Sequence, residues 1–287
     1  MRKIVYLNGD FLPEEQAMVP VMDRGFIFGD GVYEVIPAYG GRLFRLEEHL
    51  HRLDNSLRSV RIKNPLNRRQ WREMLESLIE KNEGVHHSLY LQITRGVAPR
   101  EHAFPPDCEP TVFASASPLK PMPVDVLENG IKAISLEDIR WRFCHIKAIA
   151  LLPNILLRQQ AIDRDAQEAI LVRDGEVTEG SASNVFMVKH GVVKTPIKSS
   201  YLLPGITRDL VLEIAHANDI PAEECSISPE DLTEADEIWI SSSTKEILPV
   251  TELDDHDVGD GKPGPIWARM ISLYQEHKAK LASGDAR

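Results

Sequence analysis

Residues 141–154 read W-R-F-C-H-I-K-A-I-A-L-L-P-N, and residues 176–184 read E-V-T-E-G-S-A-S-N. Between them, residues 156–175 read L-L-R-Q-Q-A-I-D-R-D-A-Q-E-A-I-L-V-R-D-G. The pattern predicts a strand from Ile139 to Lys147, a helix from Asn154 to Arg164, a strand from Glu168 to Val172 and a turn at Asp174-Gly175. Helix and strand thus alternate around one lysine and one acidic turn, and this order sets the fold class as α/β.

Lys147 closes a short apolar run and is followed by an almost uncharged segment, Ala148 to Leu157. Partial desolvation disfavours an ammonium, so a lysine in such a setting can serve as a free amine nucleophile. Taken alone it reads as a surface lysine at a strand end, because lysine is mostly exposed. About thirty residues later, Glu179 places a carboxylate in a turn of small residues, Gly180 to Ser183. Small residues allow a planar ligand to approach the backbone closely. Alone, Glu179 reads as an ordinary turn carboxylate. Together, an amine for an aldehyde carbon and an acid for a ring nitrogen are what pyridoxal phosphate chemistry requires.

The chain has 287 residues, 43 % hydrophobic and 27 % charged, with a formal net charge of −11. That size suits one or two domains with a large core. The negative charge argues against nucleic acid and against an anionic membrane surface as partners. Three cysteines, Cys108, Cys144 and Cys225, show no CxxC spacing. An odd number favours a reducing compartment over a disulfide framework. No signal-peptide pattern opens the chain and no apolar run approaches eighteen residues. A cytoplasmic protein without a metal signature is expected.

Outward from the central stretch, residues 3–12 predict a hairpin around Asn8-Gly9. Val19 to Met22 is a short apolar piece. Asp23 to Val35 holds three glycines in seven residues and reads as a loop entering a strand. A second hairpin turns at Gly40-Gly41. Leucines at 46, 50, 53 and 57, then Val60, predict an amphipathic helix. Arg52 lies beside that stripe. On pattern alone it is a solvated arginine near Asp54 or Glu48, though a guanidinium there could also reach inward to a phosphate. Asn67 to Asn82 predicts another helix and Ser88 to Thr94 a strand. The following loop carries Arg100 and His102, two apart, so extended backbone points both the same way. They could hold a carboxylate; a solvated basic loop is the plainer reading. Pro110 to Ser117 predicts a strand.

Three prolines within residues 118–123 mark an interdomain linker. It separates a small domain, 1–117, from a larger one, 124–287. In the larger domain, strands are expected at Gly130 to Leu136, Asn184 to Lys189 and Glu237 to Ile240. Pro204-Gly205 precedes a helix from Asp209 to Asn218, whose first N–H groups, near Thr207, suit a phosphate. A short helix is expected after Pro229. A terminal helix is expected from Trp267 to Leu281, with Ala282 to Arg287 frayed.

Seven segments in order resemble one family: D-R-G-F-I-F-G-D-G-V-Y-E-V, E-E-H-L-H-R-L, T-R-G-V-A-P-R-E-H-A-F-P, D-I-R-W-R-F-C-H-I-K, V-T-E-G-S-A-S-N-V-F, L-P-G-I-T-R and S-S-S-T-K-E-I-L-P-V. The chain is similar to the fold-type IV pyridoxal phosphate enzymes, within them to the D-amino acid aminotransferases. The resemblance implies an α+β two-domain fold with pyridoxal 5′-phosphate between the domains. It implies that Lys147 forms the Schiff base and shuttles the proton. It also implies that Glu179 binds the pyridine nitrogen. Arg52, the N–H groups of Ile206 and Thr207, the Thr207 hydroxyl and Ser243 would bind the 5′-phosphate. Tyr33, Arg100 and His102 would trap the substrate α-carboxylate, the last two contributed to the partner's site in a homodimer.

The implied substrates are D-amino acids such as D-alanine or D-glutamate, with 2-oxo acids such as pyruvate or 2-oxoglutarate as acceptors. The R-x-H pattern separates this group from the branched-chain L-aminotransferases. The alternatives on this fold are a branched-chain or (R)-amine aminotransferase and an aminodeoxychorismate lyase. A non-catalytic pyridoxal phosphate-binding protein is the rival of a different class. Two residues depart from the pattern: Ala182, where a hydroxyl residue is usual, and Glu101, where a neutral one is usual. Glu101 is expected to face away from the pocket.

Overall fold

In the computed structural model, which describes residues 3–283, the Asn8-Gly9 turn joins β1 (Ile4–Leu7) to β2 (Asp10–Pro13). Both turn residues have positive φ, 50° and 111°, which an Asn-Gly pair accepts readily. A five-residue helix follows, α1 (Arg24–Phe28). Asp23 caps its start by accepting the Gly25 N–H, and left-handed Gly29 ends it. Next come β3 (Gly31–Tyr39) and β4 (Arg42–Leu43), joined through Gly40-Gly41. Two helices, α2 (Leu46–Ser59) and α3 (Arg68–Glu80), precede β5 (His87–Thr94) and β6 (Thr111–Pro118).

These six strands form one antiparallel sheet in the order β2-β1-β6-β5-β3-β4. Its core follows from the heptad-like spacing of α2. Leu46, Leu50, Leu53 and Leu57 form one cluster with Trp71, Leu75 and Leu78 of α3 and with Val32, Ile36, Leu89, Leu91 and Ile93 of the sheet. Alternate strand residues therefore face the helices.

The remaining elements are α4 (Val124–Asn129), β7 (Ile131–Glu137), α5 (Leu152–Ile162), β8 (Glu168–Arg173), β9 (Glu176–Gly180), β10 (Asn184–Lys189) and β11 (Val192–Pro196). They continue with α6 (Ile206–Ala217), β12 (Ala222–Cys225), α7 (Pro229–Thr233), β13 (Glu237–Ser242), β14 (Glu246–Leu253), β15 (His256–Asp257) and α8 (Pro265–Ser283). The second sheet is mixed, in the order β12-β11-β10-β13-β14-β7-β8-β9, with β15 paired to β14.

Its connectivity dictates its shape. Only Ser181 to Ser183 separate β9 from β10, so the gap between strand ends is at most about 14 Å. Five strand spacings in a flat sheet would need about 24 Å. The sheet must curl, and one side of it becomes an interior. Ile131, Ala133, Ile170, Val177, Val185, Met187, Ile238, Ile240, Leu248 and Val250 fill that interior as a single cluster.

The chain forms two compact units. One holds the residues up to Lys120, Ile146–Leu151 and the chain from Lys280; the other holds Pro121–His145 and Leu152–Ala279.

Three expectations need correction. Residues 139–147 are not a strand; they form bends and turns. The Arg140 N–H and guanidinium fold back onto the Asp138 carboxylate, so the segment bonds to side chains instead of a ladder. Asp23 to Phe28 is capped helix rather than loop. The helix read as Asp209 to Asn218 begins at Ile206, directly after Gly205. Strands β12 and β14 had no expected counterpart. The last helix extends through Ser283, so Ala282 is helical, and residues 284–287 of the expected frayed end lie outside the described residues.

Leu53 is fully buried among the α2, α3 and sheet side chains. Leu53→Ala is expected to lower the unfolding free energy by about 2–5 kcal/mol, read by urea denaturation.

Candidate active site

Lys147 belongs to the first unit, although the segments on either side of 146–151 belong to the second. β4 covers only the far end of β3. Residues 147–149 use the edge it leaves: the Tyr33 N–H donates to the Lys147 carbonyl at 2.9 Å, and the Ile149 N–H donates to the Gly31 carbonyl at 3.1 Å. The Lys147 N–H donates to Ser56 Oγ on α2 at 3.2 Å. The lysine is half-buried, with Nζ 4.2 Å from the centroid of the Tyr33 ring.

Arg52 lies one helical turn before Ser56, on the same face of α2. It is not the solvated arginine that the pattern alone suggested, since it is only 5 % exposed. Its Nε and Nη2 both donate to Glu34 of β3, each at 2.8 Å. The Glu34 carboxylate also meets His49 Nδ1 at 2.9 Å. All three side chains are buried. Burial alone would raise the Glu34 carboxyl, but the Arg52 charge and the bonds from Arg52 and His49 hold it well below the usual carboxylate range. Burial pushes the His49 imidazole down; Glu34 opposes this, while Arg52 and Lys147 add to it. The ensemble is an ionised carboxylate between a guanidinium and a neutral imidazole.

A second buried network holds the loop that carries Arg100 and His102. Asp30 accepts Arg24 Nε at 2.8 Å and Arg95 at 2.7 and 2.9 Å. Arg24 Nη1 donates to the Glu101 carbonyl at 2.5 Å. Arg100 and His102 both pack on Phe28: the Arg100 guanidinium carbon is 5.4 Å from the ring centroid, and the His102 ring centroid is 5.6 Å away. The structure thus brings the two residues to one ring. Glu101 is exposed, and its carboxylate accepts the adjacent His102 N–H at 3.0 Å.

In the second unit, Glu179 ends β9 and is buried. Oε1 accepts Arg140 Nη1 at 2.5 Å; Oε2 accepts the Leu203 N–H at 3.0 Å and Asn184 Nδ2 at 3.3 Å. Arg140 is clamped in turn by Asp138 at 2.8 and 2.9 Å. Burial would lower the Arg140 guanidinium, but Asp138 and Glu179 outweigh it and raise it further. Burial raises the nearby Cys144 thiol to about 11, so it is inert at neutral pH.

Asn184 ties this region together. Its amide also donates to the Leu203 carbonyl at 2.9 Å, and it pairs in register with Ser241 of β13. A Cβ on Gly205 would lie 1.8 Å from Asn184 Oδ1, so only glycine fits there. Gly205 supplies no side-chain cap to α6, whose first residues are Ile206 and Thr207. An uncapped helix start suits an anion. Ser241 Oγ is buried and, among the described residues, has no hydrogen-bond partner. Ser243 lies in the turn after β13. Ser181 and Ser183 both donate to the buried Glu168, while Ala182 between them is exposed. The hydroxyl network is therefore closed without residue 182.

Sequence reasoning missed Arg24, Asp30, Glu34, His49, Arg140 and Asn184 as parts of these arrangements. Each lies inside a quoted motif, but side-chain pairing, whether across a few residues or many, leaves no periodic signal.

Residues 31–253 match the family model described as amino-transferase class IV, and the chain belongs to that family. It is 41% identical to the D-alanine aminotransferase of Staphylococcus haemolyticus over 274 residues, 95% of this chain and 97% of that protein. Among solved structures, it is similar to the branched-chain amino acid aminotransferase of Escherichia coli, with TM-score 0.90 and 29% identity over 96% of this chain and 94% of that one. A hypothetical aminotransferase from Mycobacterium tuberculosis, solved in its PLP-bound form, has TM-score 0.82 and 25% identity over 94% of this chain and 96% of that one.

The depressed His49 imidazole has a measurable consequence. Unfolded, it titrates near about 6.5, whereas the folded form stays neutral to lower pH. As pH falls through that window the unfolded state binds the extra proton, so stability drops. Glu34 adds a second loss at lower pH: its contribution is complete above the unfolded value of about 4.3 and disappears as pH falls toward its depressed folded value. Urea unfolding between pH 8 and 5 should show a shallower decline for His49→Gln than for the wild type. Equal slopes would mean that His49 titrates normally.

Proposed function

We propose that this protein is a pyridoxal phosphate-dependent D-amino acid transaminase. It would move the amino group of a D-amino acid such as D-alanine or D-glutamate to a 2-oxo acid such as pyruvate or 2-oxoglutarate. The observation that carries this reading is whole-length identity of about two residues in five to D-alanine aminotransferases. The Arg-x-His pair on one ring agrees with it.

The residues fit the cofactor. Ser241 Oγ is a buried hydroxyl awaiting an acceptor or donor, and α6 starts without a side-chain cap. When bound, pyridoxal 5′-phosphate supplies an aldehyde carbon for an amine and an electron-withdrawing ring. Lys147 Nζ is the amine we assign to that aldehyde, and the base that removes and returns the proton at the substrate α-carbon. Glu179 is assigned to the ring nitrogen. Arg140, Asn184 and the Leu203 N–H all donate to its carboxylate and fix its position. We assign the 5′-phosphate to Arg52, the N–H groups of Ile206 and Thr207, the Thr207 hydroxyl and Ser243. Glu34 fixes the Arg52 guanidinium edge-on, which limits the directions from which it can meet an anion.

Tyr33, Arg100 and His102 are assigned to the substrate α-carboxylate. A carboxylate anchored on one side of a pocket determines which enantiomer directs its Cα–H at the lysine. We also propose a homodimer in which Arg100 and His102 serve the partner's site. Exposed Phe26 and Met18 in one unit, and Trp141 and Phe143 in the other, support burial against a second copy. Three unpaired thiols support a cytoplasmic setting. Among the described residues, no helix is long and apolar enough to cross a membrane.

A spectrum of the holoprotein tests the reading. D-alanine should discharge the lysine-bound cofactor band and L-alanine should not; the reverse would favour a branched-chain L-aminotransferase. Borohydride should fix the cofactor mass on the peptide containing Lys147. Lys147→Ala should abolish turnover while some cofactor still binds, and label on another peptide would refute the assignment.

A further inference from the structure

The short helix α1 touches the Arg100–His102 loop from both of its ends. Arg24, at its start, is only 3 % exposed. Its Nη1 donates to the Glu101 carbonyl at 2.5 Å and lies 3.5 Å from the Ala103 carbonyl, so it holds the backbone on both sides of His102. Phe28, one turn later, presents the ring on which Arg100 and His102 pack, at 5.4 and 5.6 Å. The Arg24 guanidinium carbon lies 4.9 Å from the centroid of the same ring. The helix itself is fixed: Asp23 caps it and accepts the hydroxyls of Thr94 and Thr111, and the Arg24 N–H donates to the Gly96 carbonyl at 2.9 Å.

The charges are sorted as a carboxylate trap needs. Arg24 is paired with Asp30, which Arg95 also grips, so the two guanidiniums share one carboxylate. Arg95 in turn lies 3.7 Å from the centroid of the Phe104 ring, at the end of the loop. Arg100 is exposed and, among the described residues, makes no ion pair. A buried, paired guanidinium thus shapes the loop, and an exposed one outside any ion pair is left for a ligand.

We propose that Arg24 and Phe28 are positioning residues for substrate binding: α1 clamps the loop so that Arg100 and His102 converge on one α-carboxylate. This rests on the assignment of Arg100 and His102 to the substrate carboxylate. Arg24 Nε holds Asp30 while Nη1 holds the two carbonyls, and a lysine at position 24 would keep the charge but lose this division of donors. Misplacing an anchor lowers affinity with little effect on the bond-making step, because the proton transfer belongs to Lys147.

The test compares Arg24→Lys, Phe28→Leu and Arg100→Ala as holoenzymes. Steady-state kinetics with D-alanine are combined with a titration of the cofactor absorbance by propionate, a bare carboxylate, and with thermal melting. Phe28 is half-buried, so its variant keeps the test open if Arg24→Lys fails to fold. Both positioning variants should raise KM and the propionate dissociation constant about tenfold, with kcat within about twofold and an unshifted lysine–cofactor band. If Arg100→Ala weakens propionate and the two positioning variants do not, the clamp is wrong and the assignment of Arg100 stands. A joint loss of kcat and melting temperature with unchanged propionate binding would reduce α1 to a structural element and overturn the proposal. If Arg100→Ala leaves propionate binding unchanged, the carboxylate assignment falls, and the clamp with it.

Discussion

A guanidinium cannot shed its proton inside a protein, so each buried arginine must be met by a carboxylate. Arg24, Arg52, Arg95, Arg140 and Arg208 are buried here, and each has its acid: Asp30 for Arg24 and Arg95, Glu34 for Arg52, Asp138 with Glu179 for Arg140, and Glu224 with Asp209 for Arg208. Removing one member of such a pair leaves an unmatched buried charge, which typically costs about 3–5 kcal/mol. The pairs therefore act as rigid joints. The Asp30 pairs fix the loop of Arg100 and His102, the Glu34 pair fixes the face of α2 beside Lys147, and the Arg140 pairs fix the carboxylate of Glu179. Packing alone would allow these side chains rotamer freedom; bidentate ion pairs do not.

Much of the architecture was legible because local signals and global structure agree. The Asn8-Gly9 hairpin, the leucine stripe of α2 and the Asp174-Gly175 turn each have a local cause that tertiary packing does not override. The misreading at residues 139–147 has a physical reason. I-R-W-R-F-C-H-I-K alternates apolar and polar residues as a half-buried strand would. Here the faces do not hold: Ile139, Trp141 and Phe143 are about half exposed, Arg142 is exposed with them, and Arg140 is buried. Periodicity reports an alternation of residue types, not which of them lie inside. The unexpected strand β14 contains Pro249, which argues against an interior strand. Pro249 stands opposite Trp239 of β13, and the pairing with β7 on the other side starts only at Val250. The helix α1, at five residues, is too short for any period to register.

The proposed site was legible to a different depth. Lys147 and Glu179 stand out only as a pair, since each alone reads as an ordinary strand-end lysine or turn carboxylate. Their supports do not, because a pairing is invisible in one dimension. Arg140 and Glu179 are 39 residues apart and Arg24 and Glu101 are 77 apart. Asn184 is the clearest case. It reads as the end of a small-residue turn, yet it bonds Glu179 and Leu203 and leaves no room for a side chain at position 205.

This division of labour bears on how one fold serves different members of a family. The chain belongs to the amino-transferase class IV family and shares its fold with a branched-chain amino acid aminotransferase, so the fold does not by itself set the substrate. The lysine segment is held by backbone bonds to the open edge of β3, and α2 beside it by the Glu34 pair, against a sheet whose register tolerates little change. The Arg100–His102 loop is different. It lies outside the ladders, and a few side-chain contacts from α1 determine its course. A surface loop can be rebuilt without disturbing the core, and sequence change there alters function sooner than stability. A ligand contact placed on such a loop is thus free to move while the lysine segment stays where it is. Selectivity can then change through a handful of loop contacts, with the lysine segment untouched.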